Sequence, residues 1–297
     1  MSRVIDSILI PTDDSEGAIA GAKYGIALAS RTDADVHVLS VVEAGAEADE
    51  LDDGPLSTLE ANAQEATETV AQLAREFDDE LDVTTTVERG TPFQSIREYA
   101  HRRGIDVIAI GTKGRSGLEW VLLGSVTENV LRTARTPVLA VPPDADIAVI
   151  DDVAFGDMLL PTDGSEGAAI ATEWGIALAT LLDSMVHSVY SVEANAFGGA
   201  QDPRELLDVL ERRGEEALET VRERARSADV SVSGSIASGA PATVITEYAT
   251  DRDVDLIVMG TSGRTGIGQW FLGSVAENVV RQTTVPVFCV PVSAASP

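Results

Sequence analysis

Residues 111–117 read Gly-Thr-Lys-Gly-Arg-Ser-Gly and contain three glycines. They directly follow the apolar run Val-Ile-Ala-Ile at residues 107–110. Residues 123–126 then read Leu-Gly-Ser-Val and open a helix-like segment. Glycines between a strand and a helix let backbone N–H groups approach an anion without a Cβ in the way. The helix N-terminus adds about half a positive charge, and Ser125 offers a helix cap and a hydroxyl donor. The pattern predicts a phosphate-binding loop.

The same pattern returns at residues 260–266 and 272–275, and both copies read G-x2-G-x9-G-S. Between residues 111–143 and 260–292, 17 of 33 positions are identical. Duplication alone explains such identity, and glycines after a buried strand also serve as plain strand-to-helix turns. The turn residues match better than the apolar residues between them, which favours a shared function.

The repeat divides the chain into two domains, predicted at residues 1–146 and 147–297. Pro11-Thr12-Asp13 returns 150 residues later as Pro161-Thr162-Asp163. In each half, short apolar runs alternate with helical patterns as β-α-β-α-β-α-β-α-β, which predicts an α/β fold with a parallel sheet and helices on both faces. A ligand is then expected at the carboxyl ends of the strands, between the first and the fourth.

The formal net charge of the chain is −28, and lysine occurs only at Lys23 and Lys113. The acidic residues are scattered over both halves, which favours a halophilic acidic surface over a disordered acidic arm. A metal-buffering or DNA-mimicking role is the open alternative. Binding of nucleic acid through a basic patch is excluded by the charge balance.

Neither a long apolar run nor a signal-peptide pattern opens the chain, which predicts a cytoplasmic protein with no membrane association. The single cysteine, Cys289, lies in an apolar run and is expected to be a buried thiol. His37 and His187 occupy matching positions in the second strand of each half and are interpreted as structural residues. No clustering of His and Cys indicates a zinc site.

The segments Pro161-Thr162-Asp163-Gly164-Ser165-Glu166 and Gly111 to Ser125 resemble the signatures of the universal stress protein family. The resemblance covers nearly the whole chain twice, as in tandem members. It implies two five-stranded parallel sheets of strand order 3-2-1-4-5 that bind ATP or another adenine nucleotide, with or without magnesium. It also implies that the two domains pair through their last strands as an internal pseudo-dimer; a homodimer of whole chains stays open.

The resemblance also implies which residues hold the nucleotide, while catalytic and metal-binding residues are expected to be absent. Asp13 and Asp163 resemble the nucleoside-contacting acid, and Val41 and Ser191 occupy the position that offers backbone to adenine. Two residues depart from the family pattern: Asp14 replaces a glycine, and Ser191 an apolar residue. The full predicted set is Pro11, Thr12, Asp13, Val41, Gly111, Gly114, Arg115, Gly124, Ser125 and Val126, with Pro161, Thr162, Asp163, Ser191, Gly260, Gly263, Arg264, Gly273, Ser274 and Val275 in the second half.

Neither copy contains the G-x-x-x-x-G-K-[ST] pattern, so a Walker-type lysine and magnesium-binding hydroxyl are absent. The sequence therefore favours a nucleotide-binding stress-response or regulatory protein without efficient catalysis. A slow ATPase or phosphoryl or adenylyl transferase is one alternative, and a scaffold that binds a protein partner without nucleotide is another. Lys113 stands where the second loop has Ser262, which predicts somewhat stronger triphosphate binding at the first site.

The charge of −28 predicts that folding depends on salt. At 1 M salt the Debye length is about 3 Å and self-repulsion is screened, whereas at about 0.1 M it reaches about 10 Å. We expect the melting temperature, followed by circular dichroism, to fall steadily as KCl is lowered below about 0.1 M. A melting temperature that stays constant across this range would contradict the prediction.

Overall fold

The computed structural model describes residues 4–43, 53–113, 123–145, 147–193, 203–263 and 272–297. The chain divides into two compact units, Met1–Val153 and Ala154–Pro297. Within the described residues each unit holds five strands and four α-helices, in the same alternating order.

The elements of the two units correspond one to one. The first unit contains β1 (Ser7–Pro11), α1 (Glu16–Thr32), β2 (Asp35–Val42), α2 (Asp53–Phe77), β3 (Val83–Arg89), α3 (Pro92–Arg103), β4 (Val107–Gly111), α4 (Ser125–Thr133) and β5 (Val138–Val141). The second contains β6 (Asp157–Pro161), α5 (Glu166–Leu182), β7 (Met185–Val192), α6 (Pro203–Ser227), β8 (Val232–Ser238), α7 (Pro241–Asp251), β9 (Leu256–Gly260), α8 (Ser274–Gln282) and β10 (Val287–Val290).

The strands of the first unit are ordered β3-β2-β1-β4-β5, and those of the second β8-β7-β6-β9-β10. All strand pairs described within the two units are parallel. The predicted α/β class and the strand order 3-2-1-4-5 are thereby confirmed in each half. Because the strand order reverses between β1 and β4, the loops that leave these two strands diverge and open a crevice at their carboxyl ends.

The central strands form the core of each unit because both of their faces are covered. Ile8, Leu9 and Ile10 of β1 are 0% exposed, as are Ile108 of β4 and Leu139 of β5. Full burial of a side chain of this size contributes roughly 1.5–3 kcal/mol. A near-continuous apolar run is what a strand buried on both faces requires.

Glycines set the distance between α1 and β4. A Cβ on Gly17 would overlap the carbonyl oxygen of Lys113, and a Cβ on Gly111 would overlap the carbonyl oxygen of Gly17. Further along α1, a Cβ on Gly21 would lie 2.5 Å from the amide nitrogen of Gly111. The second unit repeats the contact, since a Cβ on Gly260 would lie 2.7 Å from the carbonyl oxygen of Gly167. The start of α1 therefore touches the backbone at the end of β4.

The segment after β5 packs onto α1 of the first unit. Ile150 and Val153 are buried, with exposures of 7% and 2%. Lys23 donates a hydrogen bond from Nζ to the carbonyl oxygen of Ile147. Arg31 donates one to the carbonyl oxygen of Val153, at 2.6 Å. The apolar residues that precede the second repeat thus complete the core of the first unit.

The matched histidines of β2 and β7 pack against tyrosines of the helices that cover them. Nδ1 of His37 lies 3.1 Å from the hydroxyl of Tyr99, and Nδ1 of His187 lies 3.3 Å from that of Tyr248. In the second pair, Nε2 of His187 also lies 3.0 Å from Oδ1 of Asp157. Burial lowers the pKa of His37 below its ordinary value of 6.5, and the charge of Arg103 lowers it further, against the opposing effect of Asp35 and Asp82.

His37 makes the stability of the first unit depend on pH. The unfolded chain takes up a proton on this ring near pH 6.5, while the folded unit resists it until a lower pH. The contribution of neutral His37 to the free energy of unfolding is therefore fully present above pH 6.5 and is lost as the pH falls below this value. We expect the stability difference between wild type and His37→Gln to shrink between pH 8 and pH 5.5, as measured by denaturant unfolding.

The matched control for this experiment is His101→Gln, because His101 is an exposed histidine on α3. The effect assigned to His37 is the change of its stability difference with pH beyond any change measured for His101→Gln. A stability difference for His37→Gln that does not change with pH would contradict the prediction.

Candidate functional site

A cavity of about 430 Å³ opens at the carboxyl edge of the sheet in the first unit. The ends of β1, β2 and β4 form its floor, and α2, α3 and the start of α4 form its walls. Its lining includes eight of the predicted residues: Pro11, Thr12, Asp13, Val41, Gly111, Gly124, Ser125 and Val126. The structure thus brings together, around one cavity, residues that are more than a hundred positions apart in the chain.

Asp13 is held at the end of β1 by the first turn of α1. Its Oδ1 accepts hydrogen bonds from the backbone N–H of Ser15 at 3.1 Å and from the Ser15 hydroxyl at 2.5 Å. The same hydroxyl oxygen accepts from the N–H of Ala18 at 3.2 Å and caps the helix. Within the described part of the chain, Oδ2 of Asp13 has no hydrogen-bond partner, so this oxygen can accept from a ligand.

The start of α4 presents backbone N–H groups to the cavity. The N–H of Gly124 donates to the carbonyl oxygen of Thr112 at 2.7 Å, and the first helical bond runs from Glu128 to Gly124 at 2.9 Å. The next three residues, Ser125, Val126 and Thr127, lie in the first turn, where the helix provides no acceptors for their N–H groups. All three line the cavity. They form a cradle suited to an anion.

One detail of this cradle differs from the sequence-based expectation. Ser125 was expected to cap the helix, but Gly124 is the N-cap and Ser125 is the first helical residue. The glycine takes the cap position because its N–H is already bonded to Thr112, which fixes where the chain turns into the helix. The hydroxyl of Ser125 is therefore not needed as a cap.

Two further residues contribute side chains to the part of the structure where β4 ends and α4 begins. Thr127 donates a hydrogen bond from Oγ1 to the carbonyl oxygen of Gly111 at 2.7 Å, which ties α4 to the end of β4. Lys113 also lines the cavity and is half-buried. Asp13 and Glu43 are the other charged residues among the described lining, so Lys113 is its only cation.

Asp14 follows the predicted binding acid and adopts a left-handed backbone conformation, with φ 62°. Gly164 occupies the same place in the second unit with φ 76°. Aspartate tolerates this region better than most residues, because its short polar side chain bonds locally. The departure from the family's glycine therefore leaves the turn intact.

The second unit repeats the frame of the site. Gly273 is the N-cap of α8, and its N–H donates to the carbonyl oxygen of Thr261 at 2.7 Å, so Ser274 and Val275 begin the helix. Asp163 accepts from the N–H of Ser165 at 2.9 Å. Of the remaining predicted residues, Pro161 and Gly260 are the last residues of β6 and β9, and Thr162 and Gly263 lie in the segments that follow these strands.

Ser191 occupies the same strand position as its counterpart Val41, the seventh of eight. Val41 lines the first cavity. The hydroxyl of Ser191 donates to the carbonyl oxygen of Gly239 at 2.8 Å and so ties β7 to the turn before α7. Three predicted residues, Gly114, Arg115 and Arg264, lie outside the described residues.

Sequence reasoning missed the contribution of α2. Leu59, Asn62, Ala63 and Ala66 line the cavity, and their spacing of three, four and seven residues places them on one face of the helix. That spacing was a usable signal, since a polar-faced helix with small residues at these positions leaves room beneath it. From α3, Pro92 and Ile96 join the lining.

Within the described residues, no group of three or more His, Cys, Asp and Glu side chains could hold a metal ion. Cys289 is 0% exposed, as predicted, and burial raises the pKa of its thiol to about 12. No helix among the described residues is both long enough and apolar enough to cross a membrane.

Known proteins are similar to this chain in sequence and in fold. A universal stress protein of Methanocaldococcus jannaschii is 38% identical over 139 residues, which cover 46% of this chain and 82% of that protein. A universal stress protein of Mycolicibacterium smegmatis is 26% identical over 298 residues, which cover 95% of this chain and 96% of that protein.

A solved structure gives the same result for the fold of the whole chain. The crystal structure of a universal stress protein from Archaeoglobus fulgidus covers 96% of both chains with a TM-score of 0.71, at 24% identity. The sequence profile of the universal stress protein family matches residues 5–142 and again residues 154–291. The chain therefore belongs to the universal stress protein family, as a member with two tandem domains.

Proposed function

We propose that the first unit binds an adenine nucleotide, ATP, ADP or AMP, and that the chain is a nucleotide-binding regulatory or stress-response protein. The observation that carries this proposal is the cavity at the carboxyl ends of β1, β2 and β4. It combines an amide cradle, an oriented carboxylate and apolar walls. Its volume of about 430 Å³ lies within the range of roughly 300–1,000 Å³ usual for small-molecule sites.

The charges around the cavity favour one orientation of a bound nucleotide. The first turn of α4 carries about half a positive charge, and Lys113 lies at the same end. Asp13 presents a carboxylate from the end of β1. A triphosphate is attracted to the cradle and repelled by the carboxylate, whereas ribose hydroxyls can donate to Oδ2 of Asp13. We therefore place the phosphates at α4 and the ribose at Asp13.

The base is assigned to the part of the cavity between β2 and the helices. Leu39, Val41 and Ala63 line this part together with Ile96. Apolar side chains on both sides suit the faces of a planar base, while backbone groups at the end of β2 can bond its edge. This arrangement distinguishes an adenine nucleotide from a free phosphate.

We propose that the site binds and releases the nucleotide without efficient turnover. The described lining provides one cation and no cluster of metal ligands. Magnesium would reach the site on the phosphates themselves, as this ion commonly does. Two other expectations stay predictions: the pairing of the domains through their last strands, and a cytoplasmic location.

A proline at position 125 tests the cradle without removing the helix. Proline is tolerated at the first helical position, and Gly124, with ψ 139°, already has the conformation that precedes proline. Ser125→Pro deletes one N–H donor to the phosphates, which is worth about 1.5–3 kcal/mol for a charged acceptor. We expect ATP affinity to fall roughly 10- to 100-fold in calorimetric titrations in molar KCl.

Ser125→Ala is the matched control, because it removes the hydroxyl and keeps the N–H. We expect it to bind ATP within a few-fold of wild type, and adenosine to bind all three proteins alike. If the proline and alanine variants bind ATP equally well, the amide cradle does not hold the phosphates. If wild type binds no ATP, ADP or AMP, the proposed function is wrong.

A further inference from the structure

A strand position that borders the cavity in the first unit carries a much larger residue in the second unit. Ser40 is the sixth residue of the eight-residue strand β2, and Tyr190 is the sixth residue of β7. Both stand three positions after the matched histidine of their strand. Ser40 lines the first cavity, so its position in the second unit carries a phenol ring in place of a hydroxymethyl group.

The helix that covers this strand also carries different residues in the two units, at the position that faces the strand residue. Residues 65–70 read Glu-Ala-Thr-Glu-Thr-Val and residues 216–221 read Glu-Ala-Leu-Glu-Thr-Val, which aligns α2 with α6. Ala63, which lines the first cavity, then corresponds to Gly214. The second unit thus has a larger residue on the strand and a smaller one on the helix.

These two changes depend on each other. A Cβ on Gly214 would lie 2.8 Å from Cδ1 of Tyr190 and 2.9 Å from Cδ1 of Ile236. A contact of this length forces a neighbour to move, and here both neighbours are held in a packed cluster. The glycine is therefore what lets the tyrosine ring lie between β7 and α6.

Tyr190 is fixed in that position and only 3% exposed. It forms an apolar cluster with Val192, Ala217 and Leu218, and further side chains of α6 and β8 pack against them. Two of these, Leu210 and Ala217, correspond to Leu59 and Ala66, which line the first cavity. The helix face that borders open space in the first unit therefore packs, in the second, into the apolar cluster around Tyr190.

The start of the helix that is assigned to the phosphates has the same backbone geometry in both units. Gly124 and Gly273 cap their helices with ψ 139° and ψ 145°, and each donates a hydrogen bond of 2.7 Å to the matching threonine carbonyl. The exchange of Ser40 for Tyr190 and of Ala63 for Gly214 thus lies on the side assigned to the base, while the backbone of the helix cap is alike in the two units.

We propose that Tyr190 and Gly214 determine specificity in the second unit: the ring fills the space that receives the base in the first. This inference rests on the proposed function. It means that the chain holds one adenine nucleotide tightly, in the first unit, and a second one at least tenfold more weakly. The phosphate cradle of the second unit remains, but the adenosine part adds little to binding there.

A reciprocal exchange tests the proposal. In the Ser125→Pro background, which weakens the first site, Tyr190→Ser with Gly214→Ala should raise ATP affinity at the second site at least tenfold. In otherwise wild-type protein, Ser40→Tyr with Ala63→Gly should lower ATP affinity at the first site at least tenfold. Calorimetric titration in molar KCl measures both, and circular dichroism verifies that each variant folds.

The wild-type titration keeps the test decisive where an exchanged variant does not fold. One tight ATP per chain supports the proposal, and two ATP of equal affinity overturn it while leaving the proposed function intact. Exchanges that fold and leave both affinities unchanged also overturn it. Failure of wild type to bind any adenine nucleotide overturns the proposed function, and this inference with it.

Discussion

The contact between the start of α1 and the end of β4 fixes the geometry on which the site depends. Gly17 and Gly111 meet backbone to backbone, since a Cβ on either would overlap the other segment. The contact brings Asp13, which bonds into the first turn of α1, beside the end of β4. Thr127 then ties α4 to the same point through the carbonyl of Gly111. The carboxylate of Asp13 and the amide cradle of α4 are thus positioned by one packing constraint, and Gly111 is required for it.

Much of the fold could be predicted from the sequence, because a buried parallel strand leaves a distinct signal. The continuous apolar runs and the repeated turn residues were sufficient for the class, and the family resemblance supplied the strand order. The helix cap was misplaced by one residue, since the bond from Gly124 to Thr112 is a tertiary contact. The α2 wall of the cavity was missed for the same reason: which face of a helix borders a cavity depends on how the helix is placed on the sheet.

The two units keep the same glycines but carry different residues beside them. Both keep the close helix–strand contact and the glycine cap, which are backbone features. They differ at positions that those glycines do not constrain, among them Ser40 against Tyr190 and Ala63 against Gly214. The spacing of the glycine motif is identical in the two units and carries no sign of this exchange. The exchange becomes visible when strand and helix positions are compared as contacting pairs.

The central claim is that the first turn of α4 binds the phosphates of an adenine nucleotide. Amide chemical shifts measured by NMR in molar KCl test it most directly, with ATP and adenosine added to separate samples. We expect ATP to shift the amide signals of Ser125, Val126 and Thr127 strongly, and adenosine to shift signals near Asp13 and Val41 while leaving those three nearly unchanged. Saturating ATP that leaves all three amides unmoved would contradict the claim.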